Sequence, residues 1–508
     1  MPVKNTLRIA AVVSLLTGMS THSFAAALAD AAESGDWSAA RSMLGAATAI
    51  DEAQADGTTA LIWAAYHRNN ELVQELLERG ADANATNRYG MSALYQASRV
   101  GDAAMIATLL EHGADANAAM PEGDTPLMLA ARSGSVVATR QLLDAGADVD
   151  ATESFHGETA LVWAAGENHA DIVDLLIERG ANIDHVTTEF TWDLTQAGVS
   201  SELPRGGLQP LTHAVRENSL DSAQLLIDAG ADVNFIDPRG ISTLRVAVAN
   251  QNFDIAMMLL DAGANPLDGA LADAVKFRSF ALVRPAKDRP DETTSLELIE
   301  RLHAAGADVN AVPETPMARM LWADGMAQPN ETPLWMAAQG GDEEMMIWLG
   351  ERGADATMPS AKDQSLLMAA VGLTPHQFGG GGIKPPVPTD VALRMGALAL
   401  ELGSPVETAD ENDDTILHLA AQEGRVDLIP FLIEAGAPLD AIDKNNRMPI
   451  DAANGKPGAL HTTGGMPPAP VVHEEAVALL REAMAARGIA EVEWVPAPPE
   501  EEDEDAAE

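Results

Sequence analysis

The chain has 508 residues, no cysteine, and a net charge of −46 at neutral pH, from 31 Lys and Arg against 77 Asp and Glu. The missing thiols exclude disulfides, Cys-ligated zinc, thiolate iron–sulfur sites and a lipidated N-terminal cysteine. So anionic a surface also argues against nucleic acid as a partner, because phosphate repels it. Hydrophobic residues make up 46% of the chain but aromatics only 4%, so the apolar mass is Ala, Leu, Val and Met, a composition suited to closely packed helices.

Lys4 and Arg8 precede the apolar stretch Ile9–Leu16, and Ser23-Phe24-Ala25 ends it in small residues. That layout predicts a secretory signal peptide over residues 1–25, cleaved near Ala25, and a periplasmic or secreted location. No later apolar run approaches the ~20 residues that span a bilayer, so no membrane anchor is expected.

From there the chain is periodic. Gly-Ala-Asp, or a close variant, starts at Gly80, Gly113, Gly146, Gly180, Gly230, Gly263, Gly306, Gly353, Gly403 and Gly436, at spacings of 33, 33, 34, 50, 33, 43, 47, 50 and 33. Leucines that open a second element recur from Leu28 and Leu61 through Leu127, Leu161, Leu211, Leu334, Leu366 and Leu417, with Ile450 as the last equivalent. A fixed period near 33 marks a repeat array, here of twelve units.

The unit Gly123–Val149 contains the local logic. Thr125 caps a first helix by accepting from an orphan backbone N–H, and Pro126 occupies the first helical position, where its missing donor costs nothing. Leu127, Ala130 and Ala131 fall at i, i+3 and i+4 on one face, and the alanine pair keeps that face thin. Gly134 allows the turn to a second helix, which is expected to bury Val136, Leu142 and Leu143 and to stop at Gly146. Asp148 and Asp150 suit bonding to turn backbone.

The string Asp124-Thr-Pro-Leu-Met-Leu-Ala-Ala-Arg-Ser-Gly134, followed by Gln141-Leu-Leu-Asp-Ala-Gly-Ala-Asp-Val149, resembles the ankyrin repeat. Asp414-Thr-Ile-Leu-His-Leu-Ala-Ala-Gln-Glu-Gly424 is similar. The resemblance implies an all-α ankyrin-repeat solenoid of about twelve helix-turn-helix units with β-hairpin loops. It also implies protein–protein recognition without catalysis. The array is expected over 26–488, closed at its end by the stripe Val477, Leu480 and Met484, and followed by a disordered acidic tail over 489–508.

Insertions interrupt the period near 185–206, 276–294, 311–330, 373–390 and 455–470. The second is net positive, with Lys276, Arg278, Arg284, Lys287 and Arg289. It could hold an acidic partner, as an auxiliary subunit or small-ligand receptor for a secreted enzyme would require, or be drawn onto the acidic scaffold itself. Trp63, Trp163 and Trp335, beside the alanine pairs, are expected mainly to pack between layers.

Enzyme chemistry is not expected. The sequence has no His-Glu-x-x-His run, no Gly-x-Ser-x-Gly elbow and no phosphate-binding loop, since Pro385 follows the four-glycine run Gly379–Gly382. Asp410-x-Asn412-x-Asp414 falls short of a calcium loop because Thr415 replaces the needed glycine, and His418 is expected to bond nearby loop backbone. No cofactor or metal is therefore expected, and the partner is expected to be another protein. In an ankyrin array, hairpins and first helices line the concave side. Contacts are accordingly placed at Tyr66, His67, Tyr89, Arg99, Arg132, Phe155, Arg216, Arg239 and Gln339, with Trp192 and Trp322 on the lengthened hairpins.

Overall fold

The computed structural model describes residues 27–44, 49–192, 203–279, 293–313, 331–360, 362–374, 387–457 and 471–497. The described residues form 24 α-helices in twelve consecutive pairs, which bears out the repeat count read from the period. The chain divides at Val246 into two compact units, 1–246 and 247–508.

In the first unit the helix α1 (Ala27–Glu33) pairs with α2 (Trp37–Leu44), α3 (Ala60–Tyr66) with α4 (Asn70–Glu78), and α5 (Ala93–Arg99) with α6 (Ala103–Glu111). Then come α7 (Pro126–Arg132) with α8 (Val136–Asp144), α9 (Ala160–Gly166) with α10 (Ala170–Glu178), and α11 (Pro210–Glu217) with α12 (Leu220–Asp228). Four of these first helices, α3, α5, α7 and α9, begin at a cap that the repeat motif supplies. Thr59, Ser92, Thr125 and Thr159 accept from the backbone N–H of Ile62, Tyr95, Met128 and Val162, at 3.0–3.4 Å. Ala130 and Ala131 are fully buried, and without bulk on that face α7 packs directly against α5 and α9. The second helix is narrower in its buried stripe than expected. Ala138, Thr139 and Leu142 are buried, whereas Val136 and Leu143 are half-buried at the edges. Small residues at the stripe's centre let the neighbouring helices close over it and leave the larger ones at its margins.

Successive repeats are also joined by polar side chains. Asn84 Nδ2 donates to the Gly113 carbonyl at 2.9 Å and its Oδ1 accepts from Asp115 N–H at 2.8 Å. Asn117 makes the same pair with Gly146 and Asp148, at 3.0 and 2.8 Å. Gly146 itself has φ +88°, with nothing near its missing Cβ, so it is required by backbone conformation rather than by space. The strands β1 (Phe190–Trp192) and β2 (Leu203–Arg205) pair antiparallel, Phe190 opposite Arg205 and Trp192 opposite Leu203, so the described ends of the first insertion form a hairpin.

The helix α13 (Thr243–Ala249) crosses the division. The second unit continues with α14 (Phe253–Asp261), α15 (Ala270–Ser279), α16 (Ser295–Ala304), α17 (Pro333–Gly340), α18 (Glu343–Gly350), α19 (Leu366–Ala370) and α20 (Thr389–Glu401). It ends with α21 (Ile416–Gln422), α22 (Ile429–Glu434), α23 (Pro449–Ala453) and α24 (Glu474–Arg487). Ser365 caps α19, so Leu367, not Leu366, holds the repeat-leucine position two residues after the cap. Gly340 marks a close approach: a Cβ there would lie 2.6 Å from the Ser279 carbonyl oxygen. Val477, Leu480 and Met484 are buried on α24, and Glu474, Glu475, Arg481 and Glu482 face water, as a terminal cap requires.

The expected signal peptide and Trp322 lie outside the described residues, as do 193–202, 280–292, 314–330, 375–386 and 458–470 of the insertions and 498–508 of the tail.

Candidate functional site

On the face of the first unit formed by hairpins and first helices, a cavity of about 460 Å³ opens across three repeats. Its lining comes from the hairpin before α7 (Asp124), the end of α7 (Arg132), the hairpin Glu153–Glu158, and the helices α9 and α11. Stacking alone unites these residues, because consecutive repeats bring equivalent positions side by side.

The hairpin is organised by Glu153. Its buried carboxylate accepts from the N–H groups of Phe155 and His156, both at 2.7 Å, and of Glu158 at 3.0 Å. Phe155 is thereby pushed outward, 67% exposed. Glu158 is held by the indole of Trp163, whose Nε1–H donates to Oε2 at 2.7 Å. Trp163 is half-buried, and the Arg132 guanidinium lies 5.4 Å from its ring. Of the tryptophans expected to pack between layers, only Trp335 is buried; Trp63 and Trp163 are half-buried, and Trp163 lines the cavity. The two half-buried indoles donate to side chains at the surface, Trp163 to Glu158 and Trp63 to Gln54 Oε1 at 2.8 Å.

His213 on α11 also lines the cavity, yet it is 6% exposed. Burial, with Arg216 and His156 nearby, pushes its pKa down to about 3, so the ring is neutral. Arg216 Nη2 lies 3.2 Å from His213 Nδ1. A guanidinium only donates, so Nδ1 is the acceptor and the ring proton sits on Nε2. That Nε2 is buried and has no hydrogen-bond partner among the described residues.

The charge of the lining is unbalanced: five carboxylates face two guanidiniums. The guanidiniums are engaged at the rim, Arg132 with Glu167 at 3.6 Å and Arg216 with Glu217 at 2.8 Å. Among the described residues no basic side chain lies within ion-pair distance of Asp124 or Glu158. Burial, reinforced by the charges of Glu153 and Glu122, raises the Asp124 pKa against the opposing Arg132.

Among the described residues, two groups of side chains have the composition of a metal site. Ligand atoms of Glu153, His156 and Glu158 lie within 4.8 Å of one another, as do those of Asp414, His418 and Asp443. In the first group, the three N–H groups on Glu153 and the indole on Glu158 already account for the arrangement as a hairpin cap. In the second, a cation is built in. The Arg447 guanidinium, 1% exposed, meets Asp443 Oδ2 at 2.6 Å and Asp414 Oδ1 at 3.0 Å. His418 is satisfied at both nitrogens, by Thr415 Oγ1 at 2.9 Å and the Arg447 carbonyl at 2.9 Å, the backbone role expected of it. Asp410 serves its own loop, accepting from Asn412 and Asp414 N–H.

Of the contact residues expected from sequence, Arg132, Phe155 and Arg216 converge on the cavity. Tyr66 and His67 form a separate exposed aromatic cluster with Trp63, their own rings 5.2 Å apart. Tyr89 is exposed under Arg88, and Arg99 is exposed at the end of α5. Arg239 turns back onto Asp237 of its own hairpin, and Gln339 is half-buried. Trp192 stands in β1, opposite Leu203. Asp124, His156, Glu158, Trp163 and His213 were not anticipated as lining. In the basic insertion, Arg278 pairs with Asp342 at 2.9 Å and Glu344 at 2.5 Å within the scaffold, which removes it from an outward-facing anion site.

Parts of the chain match ankyrin repeats, with which its paired helices are consistent. A family model described as ankyrin repeats in three copies matches residues 28–120 and 113–187, and one for the single ankyrin repeat matches 206–238 and 412–444. No curated protein matches the chain. Ankyrin repeats generally mediate protein–protein interaction and are typically non-enzymatic scaffolds. Among the described residues, no helix is long and apolar enough to cross a membrane.

Proposed function

We propose that the chain is a non-catalytic interaction scaffold that binds a partner protein through the hairpins and first helices of its first unit. One observation carries this reading: Arg132, Phe155 and Arg216, drawn from three repeats, meet at a single cavity with an exposed aromatic at its mouth. A stack of short helices holds such groups in fixed register, so little ordering entropy is lost on binding. Export through residues 1–25 belongs to the same proposal, with the array at 26–488 and the acidic tail at 489–508. N-terminal sequencing of the mature chain should begin at Ala26.

The test of binding is recovery of the partner from the exported fraction by the wild-type chain and by a Phe155→Ala/Arg132→Ser variant. At least a tenfold loss of recovery is expected, about 1.4 kcal/mol or more. Equal recovery by both would place the binding surface elsewhere.

A further inference from the structure

The carboxylates at the cavity have an internal counterpart in the same chain. Asp124 and Glu158 stand three residues before the repeat leucines Leu127 and Leu161; Asp414 and Arg447 stand three before Leu417 and Ile450. These are equivalent positions in neighbouring repeats of each pair. At the second place the pair has opposite charge and closes on itself, Arg447 reaching Asp414 at 3.0 Å. At the first place both members are acidic, and the position that Arg447 fills belongs to another carboxylate. The cavity adds an independent requirement: the buried Nε2–H of His213 lacks an acceptor, and leaving such a donor unpaired is costly.

We infer that this cavity receives an arginine side chain of the partner, its guanidinium between Asp124 and Glu158 and a peptide carbonyl of the same segment accepting from His213 Nε2. The inference rests on the reading of this face as a partner-binding surface and specifies what it recognises. Two carboxylates lining one cavity, at equivalent positions of neighbouring repeats, suit the planar fork of a guanidinium better than the point charge of an ammonium. Trp163 and the exposed ring of Phe155 offer aromatic surface for its flat face.

The test uses the full chain labelled with 5-fluorotryptophan, whose eight indoles are followed by fluorine NMR, with the Trp163 signal assigned by Trp163→Phe. The probe is the blocked tripeptide acetyl-Gly-Arg-Gly-amide, with the Lys and Gln analogues as comparisons. A saturable shift of the Trp163 signal is expected with the Arg peptide, with affinity at least about threefold weaker for Lys and about tenfold weaker for Gln. Glu158→Arg should abolish the shift, and Asp124→Asn, which keeps the side-chain shape, should weaken it about tenfold. Glu111→Arg, the same charge change on an exposed position of α6, should leave it unchanged. Equal response to the Arg and Gln peptides, or an unaltered response in Asp124→Asn, would overturn the assignment. No response by the wild-type chain would also overturn it. Where the peptide test fails in one of these ways and the Phe155→Ala/Arg132→Ser variant nevertheless loses the partner, the binding surface stands while the guanidinium assignment falls.

Discussion

The hairpins at Asp124 and Glu153–Glu158 in the first unit and at Asp410–Asp414 and Asp443–Arg447 in the second are built from the same parts. Each has an acid that caps its own loop, a histidine on an adjoining helix, and a second carboxylate one repeat away. They differ in whether a cation is included. In the second unit Arg447 is buried among its acids and every nitrogen of His418 is bonded, so the cluster serves stability. In the first unit Asp124 and Glu158 have no ion-pair partner and the His213 donor no acceptor among the described residues, and an exposed aromatic stands at the rim. The residue at one equivalent position, Arg447 or Glu158, thus distinguishes the closed cluster from the proposed recognition site.

The largest expected effect tests the closed cluster. Arg447→Leu leaves Asp414 and Asp443 buried without their counter-charge and should cost about 3–5 kcal/mol in denaturant unfolding. A loss below 1 kcal/mol would mean that the guanidinium does not hold that cluster together. At the open site, Glu158→Gln retains the acceptor for Trp163 and should change stability by less than about 0.5 kcal/mol.

The pH dependence should be steep at the first place and nearly flat at the second, where two opposed contributions offset each other. His213 in the fold has a pKa of about 3, below the ~6.5 of an unfolded chain. Between these values the unfolded state binds the extra proton. Stability is therefore fully present above pH 6.5 and falls as the pH drops, by up to about 1.4 kcal/mol per unit. His418, pushed down to about 4 chiefly by burial, acts in the same direction. Asp414 opposes it. Burial and its acidic neighbours Asp410 and Asp443 outweigh Arg447 and push it up to about 7. Its folded form keeps a proton that the unfolded form loses above ~3.8, so its contribution declines as pH rises. Amide exchange, corrected for intrinsic rates, should show the protection of α11 rising from pH 4 to 6.5 while that of α21 changes little. A flat profile at α11 would contradict the burial of a neutral His213.

Two smaller effects concern the scaffold. Gly340→Ala forces a Cβ against the Ser279 backbone and should cost about 1–3 kcal/mol. Asn117→Ala removes both side-chain bonds that join its repeat to the next and should cost about 1 kcal/mol. If Asn117→Ala were neutral, the stack would be held by its apolar faces alone.

The repeat fold was legible because period, caps and alanine pairs all repeat, each local preference agreeing with the same packed form. The cavity was only partly so. Arg132, Phe155 and Arg216 stood out at variable positions, but Asp124 and Glu158 look like ordinary hairpin acids until stacking brings both to the lining of one cavity. Trp163 was expected mainly to pack between layers; it is half-buried, and its indole N–H donates to Glu158. His213 carried a usable signal. It follows Leu211 by two residues where His418 follows Leu417 by one, and one residue turns a side chain by about 100° around a helix. That shift takes the imidazole from the loop-bonding position to the cavity. The fit of Arg447 between its acids was beyond the sequence, which shows that opposite charges exist but not that they meet.

The central claim is that the partner sits on the hairpins and first helices of the first unit. Hydrogen exchange on the full chain, with and without its captured partner, measures this directly. The account predicts new protection concentrated in residues 122–167 and 209–217, with 410–418 and 443–451 unchanged. Protection confined to the second helices, or to α15, α17 and α18 around Arg278, would contradict it.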